Sequence, residues 1–236
     1  MSIPVISIVI PTYNHREALP RCLASIAAQT FQDFEVIIVD DGSTDGTAEA
    51  VRNFQFPIPN SQFLRFEKNR GAPAARNTGL RAAKGEYILF CDADVVMRPD
   101  MLKRMMQALR EHPDASYAYC SFKFGWKTFT LFPFDANRLR RMPYIHSTSL
   151  IRRTHIPKNG WDESLIKLQD WDFFLTVLEE GHGGIWIPEV LFTVEPRRIG
   201  YSAWIPAFAY RLMPWLPTVQ KYRAAEIIVK MKHRLV

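Results

Sequence analysis

Several absences narrow the field before any motif is read. The chain has three cysteines in 236 residues, Cys22, Cys91 and Cys120, far apart and with no C-x-x-C pair. That excludes a disulfide framework and a thiolate zinc site, and it fits reduced thiols in a cytoplasmic protein. No run of about 18 apolar residues occurs, so no membrane-spanning helix is expected. The opening MSIPVISIVIPTYN has no basic leader region and passes straight into a strand-like pattern, so it does not read as a signal peptide. The six histidines show no H-x-x-x-H spacing. Internal repeats, long linkers and low-complexity segments are all missing. What remains is 47% hydrophobic and 13% aromatic, enough for one large domain or a domain with a small appendage. The formal net charge of +6 suits an anionic partner: a nucleotide, a nucleic acid or an acidic membrane surface. No nucleic-acid recognition motif accompanies the charge, so nucleic acid is not expected.

The pattern alternates between strand and helix. Ile6–Ile10 reads as a buried strand stopped by Pro11, and Ala18, Leu19, Cys22, Leu23, Ile26 and Ala27 recur at helical spacing. Glu35–Val39 is a second strand. It runs into Asp40-Asp41-Gly42-Ser43-Thr44-Asp45-Gly46, a turn whose side chains can cap a helix over Thr47–Asn53. A strand at Gln62–Phe66, a helix at Ala72–Lys84, a strand at Glu86–Cys91 and a helix from Pro99 to about Glu111 complete the first half. The second half is less regular. Strands are expected at Ala115–Phe122, within Tyr144–Ile151 and at Gly184–Leu191, with a helix at Asp170–Glu180. The order within Lys123–Tyr144 stays open. This alternation implies an α/β fold with a mostly parallel, Rossmann-like central sheet flanked by helices, and ligands bind at the carboxyl ends of such strands. Thr12, Tyr13 and Asn14, then Asp41, then Asp92 and Asp94 all fall at those ends, which argues for one site.

Asp92-Ala93-Asp94 is the most informative triplet. Two acids ending an apolar run can cap a turn, hold a metal or do acid–base work. Oxygen ligands are what Mg²⁺ and Mn²⁺ take, and Mg²⁺ commonly sits on one or two carboxylates plus substrate phosphates.

The ordered set PTYN, Q-T-F-Q-D-F-E, V-D-D-G-S-T-D, N-R-G-A-P-A-A-R-N-T-G, G-E-Y and D-A-D resembles family 2 glycosyltransferases of the GT-A fold, strongly over the first half of the chain and weakly in Gly160–Ser164 and Leu168–Asp172. The resemblance implies a nucleoside-diphosphate sugar as donor, a UDP-sugar first among them. Pro11, Thr12, Tyr13 and Asn14 would line the base and ribose, Asp41 would bond the base, and Arg76 would lie near the diphosphate. Asp94 would be the direct ligand of a divalent metal, Mn²⁺ or Mg²⁺, with Asp92 on the ribose or a metal-bound water. Trp161, Asp162 and Glu163 would form an acceptor-side loop, and the acceptor would be a saccharide or lipid-linked hydroxyl in cell-surface polysaccharide, lipopolysaccharide or glycolipid assembly. Asp170 would be the general base of an inverting transfer. The family's usual Glu-Asp pair reads Gln169-Asp170 here. Asp172 competes for the role, but about 200° of helix separates it from Asp170, so the two do not share a cleft; it reads as a first-turn charge favourable to the helix dipole. No Q-x-x-R-W stretch appears, which implies transfer of one sugar at a time. A sugar nucleotidyltransferase would need a Gly-rich, Arg-containing loop after the first strand, and PTYNHREALP is not one. A non-catalytic nucleotide-sugar-binding protein on the same fold is the other alternative.

The expected organisation is a GT-A domain over 1–200, divided into a nucleotide-sugar half (1–98) and an acceptor half (99–200), and an aromatic and basic extension over 201–236. In the extension, Trp204, Phe208, Tyr210, Trp215 and Tyr222 are interleaved with Arg211, Lys221, Arg223, Lys230, Lys232 and Arg234. That mix suits a peripheral contact with the inner face of the cell membrane, a second subunit, or packing against the domain itself.

Overall fold

The computed structural model describes residues 3–54, 60–195, 213 and 215–235. Its first strands are β1 (Ile6–Thr12) and β2 (Phe34–Asp40), in which every residue is buried. Continuous apolar runs of this kind belong to strands covered on both faces. With β3 (Ser61–Arg65) and β4 (Tyr87–Phe90) they form a parallel half-sheet in the order β3-β2-β1-β4. Helices α1 (Leu19–Ala27), α2 (Thr47–Asn53) and α3 (Ala72–Ala82) make the connections.

Pro11 does not stop β1, which continues to Thr12. Proline lacks a backbone N–H, yet this costs no rung of the ladder. Cys91 N–H donates to the Val9 carbonyl (2.9 Å), and pairing with β4 ends at Val9–Phe90, just before a rung would need a donor at position 11.

Beyond β4 the sheet changes character. The order continues β8 (Leu150–Arg152), β6 (Tyr117–Phe124), β9 (Gly184–Val194) and β5 (Val95–Met97), with β7 (Lys127–Phe129) pairing on β6. Strand β8 is antiparallel to both β4 and β6, β9 is parallel to β6, and β5 is antiparallel to β9. The sheet is therefore mixed, its antiparallel pairs confined to the second half. β1, β2, β4, β6 and β9 still end at one edge. The stretch left open in the sequence holds β7 and a short helix α5 (Ala136–Arg141), whose cap Asp135 accepts from Arg138 N–H at 2.7 Å.

The two faces of the sheet follow the alternation of side chains along each strand. Ile6, Ile8 and Ile10 pack with Leu19, Cys22, Leu23 and Ile26 of α1 and with Met101, Leu102 and Met105 of α4 (Met101–Glu111). Val9, Ile37, Val39, Ile88 and Phe90 face the other way, toward α3 and α6 (Gln169–Glu179). Helix α3 lies close enough to β1 that a Cβ on Gly79 would stand 2.3 Å from Val9 Cγ1, so only glycine fits there.

The C-terminal helix α7 (Pro217–Lys232) packs on this second face, burying Val219 and Val229. Its end is held by charge. Lys232 Nζ donates to Asp162 Oδ2 (2.7 Å) and Asp172 Oδ2 (2.9 Å), while His233 Nε2 and Nδ1 each lie 2.9 Å from a carboxylate, Asp172 Oδ1 and Glu179 Oε1. An imidazole with a carboxylate at both nitrogens can donate to both only when protonated, so this setting favours the cation. Asp172 does lie in the first turn of its helix, but it is 2% exposed and engaged through both oxygens. Trp204, Phe208, Tyr210 and Arg211 lie outside the described residues.

Burial by itself would lower the pKa of His233, but the hydrogen bonds to Asp172 and Glu179 outweigh it and the value is raised. The His233 contribution to stability is therefore fully present below its unfolded pKa of about 6.5 and is lost as pH rises through the higher folded value. Calorimetry of wild type and His233→Gln should show the largest Tm difference below about pH 6.5, shrinking at alkaline pH. A difference that is constant with pH would contradict a protonated His233.

Candidate functional site

The loops at the carboxyl edge of the sheet are tied to one another before any ligand is considered. Asn14, at φ 55°, donates its backbone N–H to Ser43 Oγ (2.8 Å) and accepts from Thr44 N–H through its side chain (2.8 Å). Pro11 and Thr12 are buried, whereas Tyr13 is 38% exposed. Of the PTYN residues expected at a base and ribose, Asn14 thus works as a strut between two loops, and Tyr13 is the one that presents a face outward.

Asp40 is fully buried and caps its own turn, accepting from Ser43 N–H (3.0 Å) and pairing with Arg65 (3.3 Å). Asp41 accepts from the backbone N–H groups of Arg70 (2.6 Å) and Gly71 (2.9 Å), fixing the entry to α3. Burial raises its pKa despite those bonds. A carboxylate offers about four acceptor positions, so Asp41 retains capacity for a ligand donor. The next residue, Gly42, sits at φ +74°, where a Cβ would also meet the Lys68 backbone at 2.9 Å.

The centre of the site is Arg76 on α3, 6% exposed. Its Nη2 donates to Asp92 Oδ1 (2.7 Å), its Nη1 donates to Gln169 Oε1 (3.0 Å), and its guanidinium lies 4.5 Å over the Trp161 ring. Asp92 also accepts from Ser147 Oγ at 3.2 Å. Burial pushes the Asp92 carboxyl up, but Arg76, His146 and the two hydrogen bonds hold it below its ordinary value. Asp94 has no such compensation. Burial, Asp92 and Glu195 push it up to about 7, against a hydrogen bond from its own backbone N–H. The two acids of one triplet are therefore electrostatically unlike.

Asp170 sits in the first turn of α6, its Oδ1 accepting from Trp171 N–H at 2.9 Å. The preceding Leu168 is in the left-handed region at φ 58°, strained for a branched side chain, and this bend delivers Gln169 to Arg76. Burial raises the pKa of Asp170, with His146, Trp171 N–H and Arg76 pulling it down and Asp92 pushing it up. The edge therefore holds Asp92, Asp170, Arg76 and His146 within electrostatic reach of one another. Asp172 is turned away to α7, as its angular offset required.

His146 is the residue that sequence spacing signalled least. Its Nδ1 accepts from Thr148 N–H (3.0 Å), so the neutral ring carries its proton on Nε2, and its ring lies between Phe122 (5.1 Å) and Phe192 (5.2 Å). Burial lowers its pKa, against the pull of Asp92 and Asp170.

The loop expected on the acceptor side is divided. Trp161 is 2% exposed and stacked on Phe173 at 4.3 Å, so it belongs to the core and supports Arg76 instead of presenting a surface. Asp162 caps Ser164 and bonds Lys232, and those contacts hold its pKa down at about 2. Glu163 is exposed, linked to Asn77 Nδ2 (3.0 Å) and Arg70 (3.6 Å). Of the three, it is the one exposed to solvent. Among the described residues no cluster of three metal-ligating side chains occurs. Asp94, with Asp92 behind it, offers the one or two carboxylates that Mg²⁺ takes alongside substrate phosphates, and the uncompensated charge of Asp94 fits a cation.

Comparison with known proteins bears on the family and the fold. The sequence model of glycosyl transferase family 2 matches residues 7–167. A Haemophilus influenzae protein described as an uncharacterized glycosyltransferase is 30% identical over 191 residues, covering 75% of this chain and 63% of that one. A PGL/p-HBAD biosynthesis glycosyltransferase of Mycobacterium tuberculosis is 33% identical over 181 residues, covering 73% and 69%. The chain spans only 36% of the Streptococcus pneumoniae glycosyltransferase GlyG. In fold, it superposes on Staphylococcus aureus TarS 1-349 in complex with UDP-GlcNAc with a TM-score of 0.72 at 22% identity, covering 92% of this chain and 69% of that one. It also superposes on the mannosyltransferase PcManGT of Pyrobaculum calidifontis, in complex with GDP-Man and Mn²⁺, with a TM-score of 0.68 at 21% identity, covering 100% and 73%.

Proposed function

The chain belongs to glycosyl transferase family 2, and on that premise we propose that it moves one sugar from a nucleoside-diphosphate sugar, a UDP-sugar first among them, to an acceptor hydroxyl with inversion. The observation that carries the reading is the pairing of unlike acids at one sheet edge: Asp92 compensated by Arg76, Asp94 left uncompensated, and Asp170 within reach of both Arg76 and Asp92.

In this reading Tyr13 and Asp41 hold the nucleotide, and Arg76 keeps Asp92 ionised while it positions Gln169. A divalent cation at Asp94, Mn²⁺ or Mg²⁺, supplies electrostatic stabilisation of the charge that develops on the leaving diphosphate. Asp170 takes the proton of the acceptor hydroxyl as the new bond to the anomeric carbon forms and the bond to the phosphate oxygen breaks. Its raised pKa brings it toward neutral pH, where a general base is most effective. The acceptor is a saccharide or a lipid-linked sugar of a cell-surface polysaccharide, lipopolysaccharide or glycolipid.

A lipid-linked acceptor agrees with the outer face of α7. Ile227 (54% exposed), Ile228 (54%) and Met231 (65%) fall on one side of the helix, flanked by Lys221 and Arg234, and Trp215 is exposed just before it. No helix among the described residues is long and apolar enough to cross a membrane, so the contact proposed is peripheral. Ile228→Asp with Met231→Glu should abolish co-sedimentation with anionic vesicles, and wild-type protein that stays in the supernatant would refute the contact.

Thermal-shift titration tests the site. A donor nucleotide at 100 times its Kd should stabilise the protein by about 2.7 kcal/mol. Asp94→Ala should lose the metal-dependent part of that shift. Asp170→Asn should keep it, yet transfer at least about 100-fold more slowly. Turnover of Asp170→Asn at the wild-type rate would remove Asp170 as the base.

A further inference from the structure

We propose that the hairpin of β6 and β7 is a saccharide-binding rail for the acceptor, with Trp126 at its tip stacking on a sugar ring. This inference rests on the glycosyl-transfer reading above and specifies its second substrate site.

Position is the first argument. Phe124, the last residue of β6, pairs with Val194 of β9, and Val194 pairs with Val95 of β5, the residue after Asp94. Gly125 N–H donates to the Val194 carbonyl, and Glu195 N–H donates to the Asp94 carbonyl, both at 2.9 Å. The hairpin turn therefore lies two strands from the proposed metal ligand, about 10 Å across the sheet, at the edge that gathers the other candidate groups.

The second argument is what the turn does not need. Gly125, at φ 57°, supplies the left-handed residue, so folding places no demand for an indole at position 126. Trp126 is nonetheless 91% exposed, more so than Ile166 at 77% or Ile3 at 75%. A large ring held in water beside a polar site is a platform for a ligand that is apolar on one face. A pyranose has that form: its C–H face meets the ring, and its hydroxyl edge stays in solvent or meets a donor such as the indole N–H. Tryptophan gives this area at small entropic cost, having two side-chain torsions.

The third argument is continuity. Phe129 stacks on Phe122 (5.1 Å, 8°), Phe122 stacks on Phe192 (5.2 Å, 1°), and His146 lies 5.1 Å from Phe122. His146 in turn is within electrostatic reach of Asp170. Phe192 is buried and anchors the row, and the half-buried Phe122 and Phe129 carry it outward along the hairpin, with Trp126 beyond its end. Lys123 and Thr128, paired on the other face of the hairpin from Phe122 and Phe129, and Thr130 are exposed, and these polar groups oppose insertion of the tip into a bilayer.

The full chain labelled with fluorotryptophan tests this, with Trp126→Phe identifying the Trp126 fluorine signal. In the presence of UDP and Mn²⁺, titration with maltose, cellobiose or diacetylchitobiose to tens of millimolar should move that signal for at least one of them. For that sugar, Trp126→Ala should weaken binding about 10-fold, while Trp126→Phe stays within about 3-fold. A signal unmoved by all three sugars, or moved only by phosphatidylglycerol vesicles, overturns the rail. The thermal shift with UDP in the same samples reports the donor reading separately, so loss of one does not imply loss of the other.

Discussion

Arg76 is a buried cation, and the site is arranged around keeping it so. Removing a guanidinium from water costs several kcal/mol unless its donors and charge are met. Here Asp92 meets the charge, Gln169 meets a second N–H, and the Trp161 face adds a cation–π contact worth about 2 kcal/mol when desolvated. Each partner comes from a different element: the end of β4, the start of α6 and the loop before it. One residue of α3 thus fixes the relative placement of all three. Asn77, its neighbour, repeats the link: its Oδ1 accepts from the Trp161 backbone N–H (2.8 Å) and its Nδ2 donates to the Trp161 carbonyl (2.9 Å).

The consequence reaches the acids. Because Arg76 is spent on Asp92, the charge left without a partner is at Asp94, where burial and two nearby acids make ionisation costly. A protein that needed only a turn would not leave a half-buried carboxylate in that state. The strain at Leu168 points the same way. A leucine in the left-handed region costs on the order of 1–3 kcal/mol, and such costs persist where surrounding structure enforces them for a purpose. The bend it makes is what lets Gln169 reach α3 while Asp170 faces the edge.

Much of this was legible in the sequence, for identifiable reasons. The parallel half-sheet could be read because fully buried strands are continuous apolar runs and their crossover helices carry a 3.6-residue period. The edge position of Asp41, Asp92 and Asp94 followed from where those runs stop. The separation of Asp170 from Asp172 followed from helix geometry alone. What could not be read depends on partners distant in the chain. The antiparallel pairing of Val95 with Val194 joins segments whose local patterns do not name each other. Trp161 does lie in a loop, as its polar neighbours implied, but its burial is decided by Phe173 and Arg76. His146 carries no spacing signal, since its role comes from a turn that brings it beside Asp92. The function of Asp172 is set by His233, 61 residues on.

These observations combine into a rule for this molecule. Its candidate acids divide by whether a cation answers them. Asp92 is answered by Arg76, Asp162 by Lys232, and Asp172 by Lys232 and His233; each of these joins two elements and holds position. Asp94 and Asp170 have backbone N–H groups as hydrogen-bond partners and raised pKa values, and both lie at the open edge. In the proposed mechanism the paired acids are therefore the frame and the unpaired ones the working groups. Helix α7 belongs to the frame: by neutralising Asp172 on the far side of α6, it removes the nearest competing carboxylate and leaves Asp170 as the acid that α6 presents to the cleft.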